Sequence, residues 1–384
     1  MIDFVKTDFQ ARWMEKLREL RMQFAERAPM HDQEGTFPFE NFKDLGNAGY
    51  LSLTVPKKYG GLEISLYDYI LFQEEIARGD GSTALSVGWH LGVVMDLDNR
   101  QSWDEQTFAK LCKSIVESQS LVNRASTEPA TGSPTRGGKP QTSAEKKGDQ
   151  WILNGRKSFT SMAPALDYSI ISASVKDSDQ VSSFLVSHKQ PGVSIEERWD
   201  TMGMRGTRSD DLVLNNVAVE SENLVETADQ EGNQQLPKGW LLHIPACYLG
   251  IARAARDFAV EFAKTYEPNS LKAPIKEVPE VQRKIGLMDV ELFKARQLMY
   301  GVIERWEAEP QNRKNLGSSL AAVKYVATNS ANEVVDLAMR IVGAHSLFMD
   351  NPLQRYYRDV RAGLHNPPMD DAVIAMFARQ ALSD

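Results

Sequence analysis

The chain has 384 residues and a mass of 43.0 kDa, room for two to three domains and too much for one small binding module. Hydrophobic residues make up 42% and charged residues 25%, which excludes disorder as the main state. Forty-four basic against fifty-two acidic residues give a net charge of −8, the wrong sign for coating nucleic acid.

The apolar residues of the first zone, Phe9 to about Glu117, recur at helical spacing, as in Trp13, Leu17, Leu20 and Phe24 or Tyr69, Ile70, Phe72, Ile76 and Ala77. Breaks are expected at Pro29, across Gly46 to Pro56, and at Gly60-Gly61. From about Leu121 to Val225 short alternating runs take over: Tyr168 to Ala173, Ser183 to Val186 and Asp211 to Val219. These predict strands separated by Asn-Gly, Pro-Gly and Asn-Asn turns, in a sandwich or barrel. Thr131 to Asp149 holds one aliphatic residue, Ala144, and reads as a surface excursion. Its Arg136, Lys139, Lys146 and Lys147 are either a basic flap for an anionic ligand or a solvated connection. From about Leu236 the helical period returns. Val281, Ile285, Met288, Leu292, Ala295, Leu298, Met299, Val302 and Trp306 make one stripe, and Leu320, Val323, Ala327, Ala331, Val334, Val335, Ala338 and Val342 another.

The expected fold class is therefore α+β and multidomain: an all-α domain over 1–118, a β-barrel or sandwich over 119–226, and a four-helix bundle over 236–384. Such a bundle can leave an apolar face for a second subunit. Cys112 and Cys247 are too few for a disulfide framework or a four-cysteine zinc site. The six histidines show no metal-binding spacing, so no metal is expected. No run reaches the roughly 18–20 apolar residues of a membrane span, and Met1 to Lys6 lack a signal layout. The expected location is the cytoplasm. Dinucleotide-crossover, P-loop and acyl-transfer serine signatures are all missing from the sequence.

Two segments at the start of the β zone concentrate hydroxyls. Arg124 to Ser133 is either an ordinary proline turn or a donor-rich loop of the kind a flavin needs where negative charge gathers on its ring. Leu153 to Ser161 places Phe159 beside Thr160 and Ser161; it is either a hairpin with its Phe in the core or a ring-shielding aromatic next to polar partners.

Together these segments resemble the acyl-CoA dehydrogenase family. Its flavin loop Thr-Glu-Pro-Gly-Ala-Gly-Ser is similar to Thr127 to Ser133, and its Leu-Asn-Gly-x-Lys-x-Trp-Ile-Thr is similar to Leu153 to Ser161. Met202 to Thr207 with Asp211 to Leu214 resembles the Gly-Met-Arg-Gly stretch, and Ile341 to Ala344 the Gln-Ile-x-Gly-Gly turn. Pro352, Arg355, Arg358, Asp359 and Arg361 resemble the Tyr-Pro-x-x-Arg-x-x-Arg-Asp-x-Arg run.

The resemblance implies bound FAD, a homotetramer or dimer, an acyl-CoA between barrel and bundle, and an electron-transfer flavoprotein or flavin reductase as partner. By position it implies flavin contacts from Thr127, Gly132, Ser133, Phe159, Thr160 and Ser161, and a diphosphate contact from Gly343 and Ala344. It departs from the family at the catalytic base. Alignment puts Pro367 where the family has glutamate, and the alternative base position falls on or near Trp240. Pro268 to Leu271 occupy the place of an arginine that in relatives reaches a neighbouring subunit's FAD. In the loop Leu364 to Asp371, His365 is the candidate base, the residue type whose ordinary pKa lies nearest neutrality. Asp370 and Asp371 are expected as the N-cap and first-turn acid of the last helix. The leading expectation is α,β oxidation of an acyl-CoA by proton abstraction and hydride transfer to flavin. The alternatives are a flavin monooxygenase using oxygen, in which His365 is similar to a histidine near the flavin of such enzymes, and a non-catalytic acyl-CoA- or partner-binding relative.

Overall fold

A computed structural model describes residues 4–131, 138–227 and 237–383. Five helices come first: α1 (Asp8–Glu34), α2 (Phe39–Asn47), α3 (Leu66–Ala77), α4 (Gly81–Arg100) and α5 (Glu105–Ser118). Thr7 and Gln10 form a capping box that starts α1, and the Asp80 carboxylate caps α4 through the amides of Ser82 and Thr83. Pro29 does not end α1. The helix runs through it to a left-handed Gly35, because Phe24, Ala28 and His31 are buried on either side and their packing outweighs the lost hydrogen bond. Gly60 and Gly61 do form the expected turn; a Cβ on Gly61 would sit 2.0 Å from the Val55 carbonyl oxygen.

Eight strands follow: β1 (Val122–Ala125), β2 (Ser143–Lys147), β3 (Gln150–Lys157), β4 (Tyr168–Val175), β5 (Val181–Ser187), β6 (Val193–Glu196), β7 (Asp211–Glu220) and β8 (Leu224–Thr227). They form one sheet in the order β6-β7-β3-β2-β4-β5-β8, with β1 parallel to β4. Leu153, Leu212, Leu214 and Val217 from one half meet Ile171, Phe184 and Val186 from the other in a single apolar core, so the sheet curls around its own interior. Two of the expected turns lie inside strands. Asn154-Gly155 is a bulge in β3 against β7, where a Cβ at Gly155 would strike Thr142, and Asn216 takes a left-handed φ of 51° within β7. The surface excursion also contains a strand: β2 pairs with β3 and buries Ala144, its one aliphatic residue.

Five more helices close the chain: α6 (His243–Thr265), α7 (Pro279–Ala308), α8 (Gly317–Val342), α9 (Pro352–Gly363) and α10 (Asp370–Leu382). α6, α7 and α8 pack on one another, α9 lies against α6 and α8, and α10 against α8. Every residue of the α8 stripe is buried, and α3 packs on α6, so both helical zones share one continuous core. The N-cap of α10 is Met369, without a side-chain cap; Asp370 lies in the first turn and pairs at 3.1 Å with the buried Lys324. Among the described residues no helix is long and apolar enough to cross a membrane.

Candidate functional site

The junction between helices and sheet is built by three loops. The loop after β1 is pinned by Glu128, almost wholly buried, which accepts hydrogen bonds from Lys157 Nζ at 2.6 Å and from the amides of Gln141 and Thr142 at 2.5 and 3.0 Å. Burial pushes the Glu128 carboxyl up, but these donors outweigh it and hold it below the usual carboxylate range. Lys157 is fully buried and ends β3, so the pair ties the first loop to the second. Next to it the Ser158 amide donates to the Thr127 carbonyl at 2.9 Å. Thr127 and the stretch Ser158 to Ser161 are thus brought together, as the spacing implied. Gly132 and Ser133 lie outside the described residues.

The third loop, 199–210, closes over this stretch. Met162 N donates to Thr207 O and Thr160 N to Asp210 O. The hydroxyls of Ser161, Ser209 and Thr207 form a chain with 2.9 Å links. Met204 N donates at 2.6 Å to Asp359 on α9, and Arg358 pairs with Asp32 at the end of α1, so this loop locks helices to sheet. Burial pushes the Asp359 carboxyl up to about 7.

Two features of the middle loop suit a ligand. Ser158 Oγ and Thr160 Oγ1 are buried and have no hydrogen-bond partner among the described residues. Phe159, in contrast, is 65% exposed, held outward by a left-handed φ of 55° and touching Trp199 edge-on at 5.6 Å. A flat ring with acceptor atoms on its rim would satisfy the hydroxyls and cover the phenyl face.

The other expected site residues lie elsewhere. Gly343 ends α8 with φ 69° and ψ −148°, and it and Ala344 are exposed on a short turn packed on α8 and α9. His365 is exposed just past α9; its amide donates to Ala362 O, and its ring makes no hydrogen bond among the described residues. The loop it belongs to is anchored by the buried Tyr248, whose hydroxyl donates to Asn366 Oδ1 at 2.6 Å, and Pro367 is part of a cis Pro-Pro pair. Trp240 is buried in the short turn just before α6 and lines a cleft of about 430 Å³ with Leu66, Met95, Asp96, Trp306 and Arg313. Asp96 lies 3.9 Å from the Arg124 guanidinium of β1, which links this cleft to the strand that leads into Thr127.

Comparison with known proteins decides the family. Three family models match in order: the N-terminal domain of acyl-CoA dehydrogenase over residues 7–108, its middle domain over 123–217 and its C-terminal domain over 242–366. The chain belongs to the acyl-CoA dehydrogenase family. It is 52% identical over 378 residues to the Bacillus subtilis protein named "Putative acyl-CoA dehydrogenase YdbM", covering 98% of each. Butyryl-CoA dehydrogenase from Megasphaera elsdenii has the same fold, with a TM-score of 0.88, 24% identity and full coverage of both chains. So does TdsC from Paenibacillus sp. A11-2, solved with FMN bound, with a TM-score of 0.88, 23% identity and 97% of each chain covered.

The resemblance read from the motifs is therefore the right one, and the α–β–α order is the family's fold. Sequence reasoning did not single out Glu128 and Lys157 as a pair, although it was visible as opposite charges inside the two matched motifs.

Proposed function

We propose that this chain is a FAD-dependent oxidoreductase that introduces a double bond between the α and β carbons of an acyl-CoA. The observation that carries this reading is the pairing of an ordered three-domain family match with two buried hydroxyls, Ser158 and Thr160, that have no partner among the described residues and lie in the matched stretch bonded to the flavin loop at Thr127. Bound FAD supplies the acceptor for the hydride that leaves the β carbon. Ser158 and Thr160 would donate to the rim of its ring, Ser161 would hold the same edge through the Ser209–Thr207 hydroxyl chain, and Phe159 would lie over it. Thr127, Gly132 and Ser133 would complete the loop. Gly343 and Ala344 are exposed, and a Cβ on Gly343 would meet nothing within 4 Å, so they would reach a diphosphate bound to a second copy of the chain, which favours a homodimer or homotetramer. FAD is preferred to FMN because only FAD gives that glycine turn a diphosphate to bind.

The cleft lined by Trp240 is the candidate channel for the thioester. His365 would take the α proton at a ring nitrogen, since proline at 367 and tryptophan at 240 cannot. An electron-transfer flavoprotein is the proposed acceptor. The two cysteines are free and buried, which suits the reducing cytoplasm proposed as its location.

The test is anaerobic titration of the FAD-loaded protein with acyl-CoAs of several chain lengths, followed near 450 nm. Bleaching by at least one, abolished in His365→Ala, is the expected result. No bleaching by any ester, with oxygen uptake once the flavin is reduced by other means, would replace this reading with the monooxygenase one.

A further inference from the structure

Behind the cleft, α6 carries a polar group that the proposed reaction does not use. His243 lies three residues beyond Trp240, on the same face of the chain's entry into α6, and is completely buried. Neither of its ring nitrogens has a hydrogen-bond partner among the described residues, and the same holds for Trp240 Nε1. Gln73 lies close to His243 with its Nε2 committed to the Ala84 carbonyl, and the other flanking groups are rings. Trp240 lies parallel to it, 4° apart with centroids 6.0 Å distant, Trp89 stands edge-on at 4.8 Å, and Tyr69 is 6.2 Å away.

The helix opposite is carved to fit this block. A Cβ on Gly88 would come within 2.3 Å of His243 Nδ1, and one on Gly92 within 2.3 Å of the Trp240 ring. Glycine weakens a helix interior relative to alanine, so two of them one turn apart are a cost tied to housing these rings. Burial lowers the His243 imidazole to about 3, which keeps it neutral near pH 7, with one nitrogen a donor and the other an acceptor. If the position served only to fill space, a leucine would fill it without stranding polar atoms.

We propose that His243 and Trp240 form a recognition point for the far end of the acyl group, selecting acyl thioesters whose short tail carries a hydrogen-bonding group, such as a hydroxyl or carbonyl, over plain alkyl tails. The inference rests on the acyl-CoA reading above and specifies its substrate class. Trp240 is both a wall of the cleft and one face of the ring block, so the fully buried imidazole stands directly behind the cleft wall, and a tail reaches it where the indole turns aside. An alkyl tail leaves the indole N–H and both imidazole nitrogens unpartnered in a dry environment. A polar tail satisfies at least one of them, and a site built around a polar partner discriminates strongly against an analogue that lacks it. The rings occupy the space between α4 and α6, which limits the length of tail that can enter.

The test compares pentanoyl-CoA with 5-hydroxypentanoyl-CoA on the FAD-loaded protein, reading binding by tryptophan fluorescence and reaction by anaerobic flavin bleaching. The expected preference in kcat/KM for the hydroxylated ester is about tenfold or more. His243→Leu should collapse that ratio, and His243→Gln, which keeps a donor and an acceptor, should retain most of it. A preference for the plain ester in the wild type, or a ratio that His243→Leu leaves unmoved, overturns this proposal while the bleaching itself upholds the acyl-CoA reading. If neither ester binds or bleaches the flavin, the acyl-CoA reading falls and this inference falls with it.

Discussion

Two buried polar pairs in this protein are opposites. Glu128 and Lys157 meet in the sheet with the carboxylate fully engaged by an ammonium and two backbone amides. Trp240 and His243 lie stacked between helices with three ring nitrogens and, among the described residues, no partner for any of them. A satisfied pair can hold two loops in register whether or not a ligand is present, whereas an unsatisfied one costs stability until something binds. The first therefore belongs to the scaffold of the candidate flavin site, and the second to its specificity.

The contrast breaks most visibly at Lys157. Lys157→Met should strand a buried carboxylate and lower the unfolding free energy by about 3–5 kcal/mol, read as a drop in the urea midpoint, together with loss of bound flavin. Adding Glu128→Gln should recover part of that loss, because the neutral pair no longer carries an uncompensated charge. If Lys157→Met unfolds like the wild type, the pair is not the clamp described here.

At His243 the expected effect is smaller and depends on pH. The imidazole's ordinary value of 6.5 falls to about 3 on burial. The folded value lies below the unfolded one, so the stability of the neutral ring is complete above about pH 6.5 and is lost as the pH drops towards 3. That interval sets a ceiling near 5 kcal/mol, which relaxation around the protonated ring would cut to about half. His243→Leu should therefore show a shallower fall in stability between pH 6 and 4. It should not be flat, because His90 and His188, both lowered to about 4 by burial, titrate in the same window. Equal slopes in variant and wild type would mean that the ring is not dry.

These two pairs were unequally legible in the sequence, and the reason is geometric. Periodicity reports which face of an element is buried, so the stripes of α7 and α8 and the alternation of β4, β5 and β7 could be read residue by residue. It does not report what meets that face. Asn154-Gly155 and Asn216 look like turns because a bulge and a turn ask for the same backbone freedom, and only the partner strand distinguishes them. Pro29 looked like a stop because the packing of Phe24 and Ala28 that carries α1 past it is long-range. The hydroxyl-rich loops announced themselves by composition, and the structure joins Thr127 to Ser158 by a single backbone bond. A lone histidine in the apolar run from Trp240 to Ile251 carries no such signal; what exposes His243 is a distant helix, α4, in which Gly88 gives way to it and Gly92 to Trp240.

Thr160 sharpens the same comparison at the flavin stretch. Its hydroxyl is buried and has no partner among the described residues, so Thr160→Val, which keeps the shape, should leave the flavin-free protein as stable as before or slightly more so. FAD affinity should fall about tenfold, equivalent to about 1.4 kcal/mol, measured by quenching of flavin fluorescence. Loss of stability with unchanged affinity would place the hydroxyl in the scaffold rather than the site.

The smallest effect is expected at Lys139, and it bears on the basic stretch before β2. Its ammonium pairs with Asp179 at 2.6 Å, but both side chains are exposed, so solvent and salt screen the contact. Arg136 lies outside the described residues, while Lys146 sits over the Trp151 ring and Lys147 is 3.8 Å from Glu145, so the described cations face their own strands. A solvated connection predicts that Lys139→Ala changes neither the urea midpoint nor FAD affinity measurably at physiological ionic strength. A flap for an anionic ligand predicts weaker binding of FAD or CoA ester in the variant, with a gap that narrows as salt is added. The salt titration separates the two readings even if the change at one ionic strength is slight.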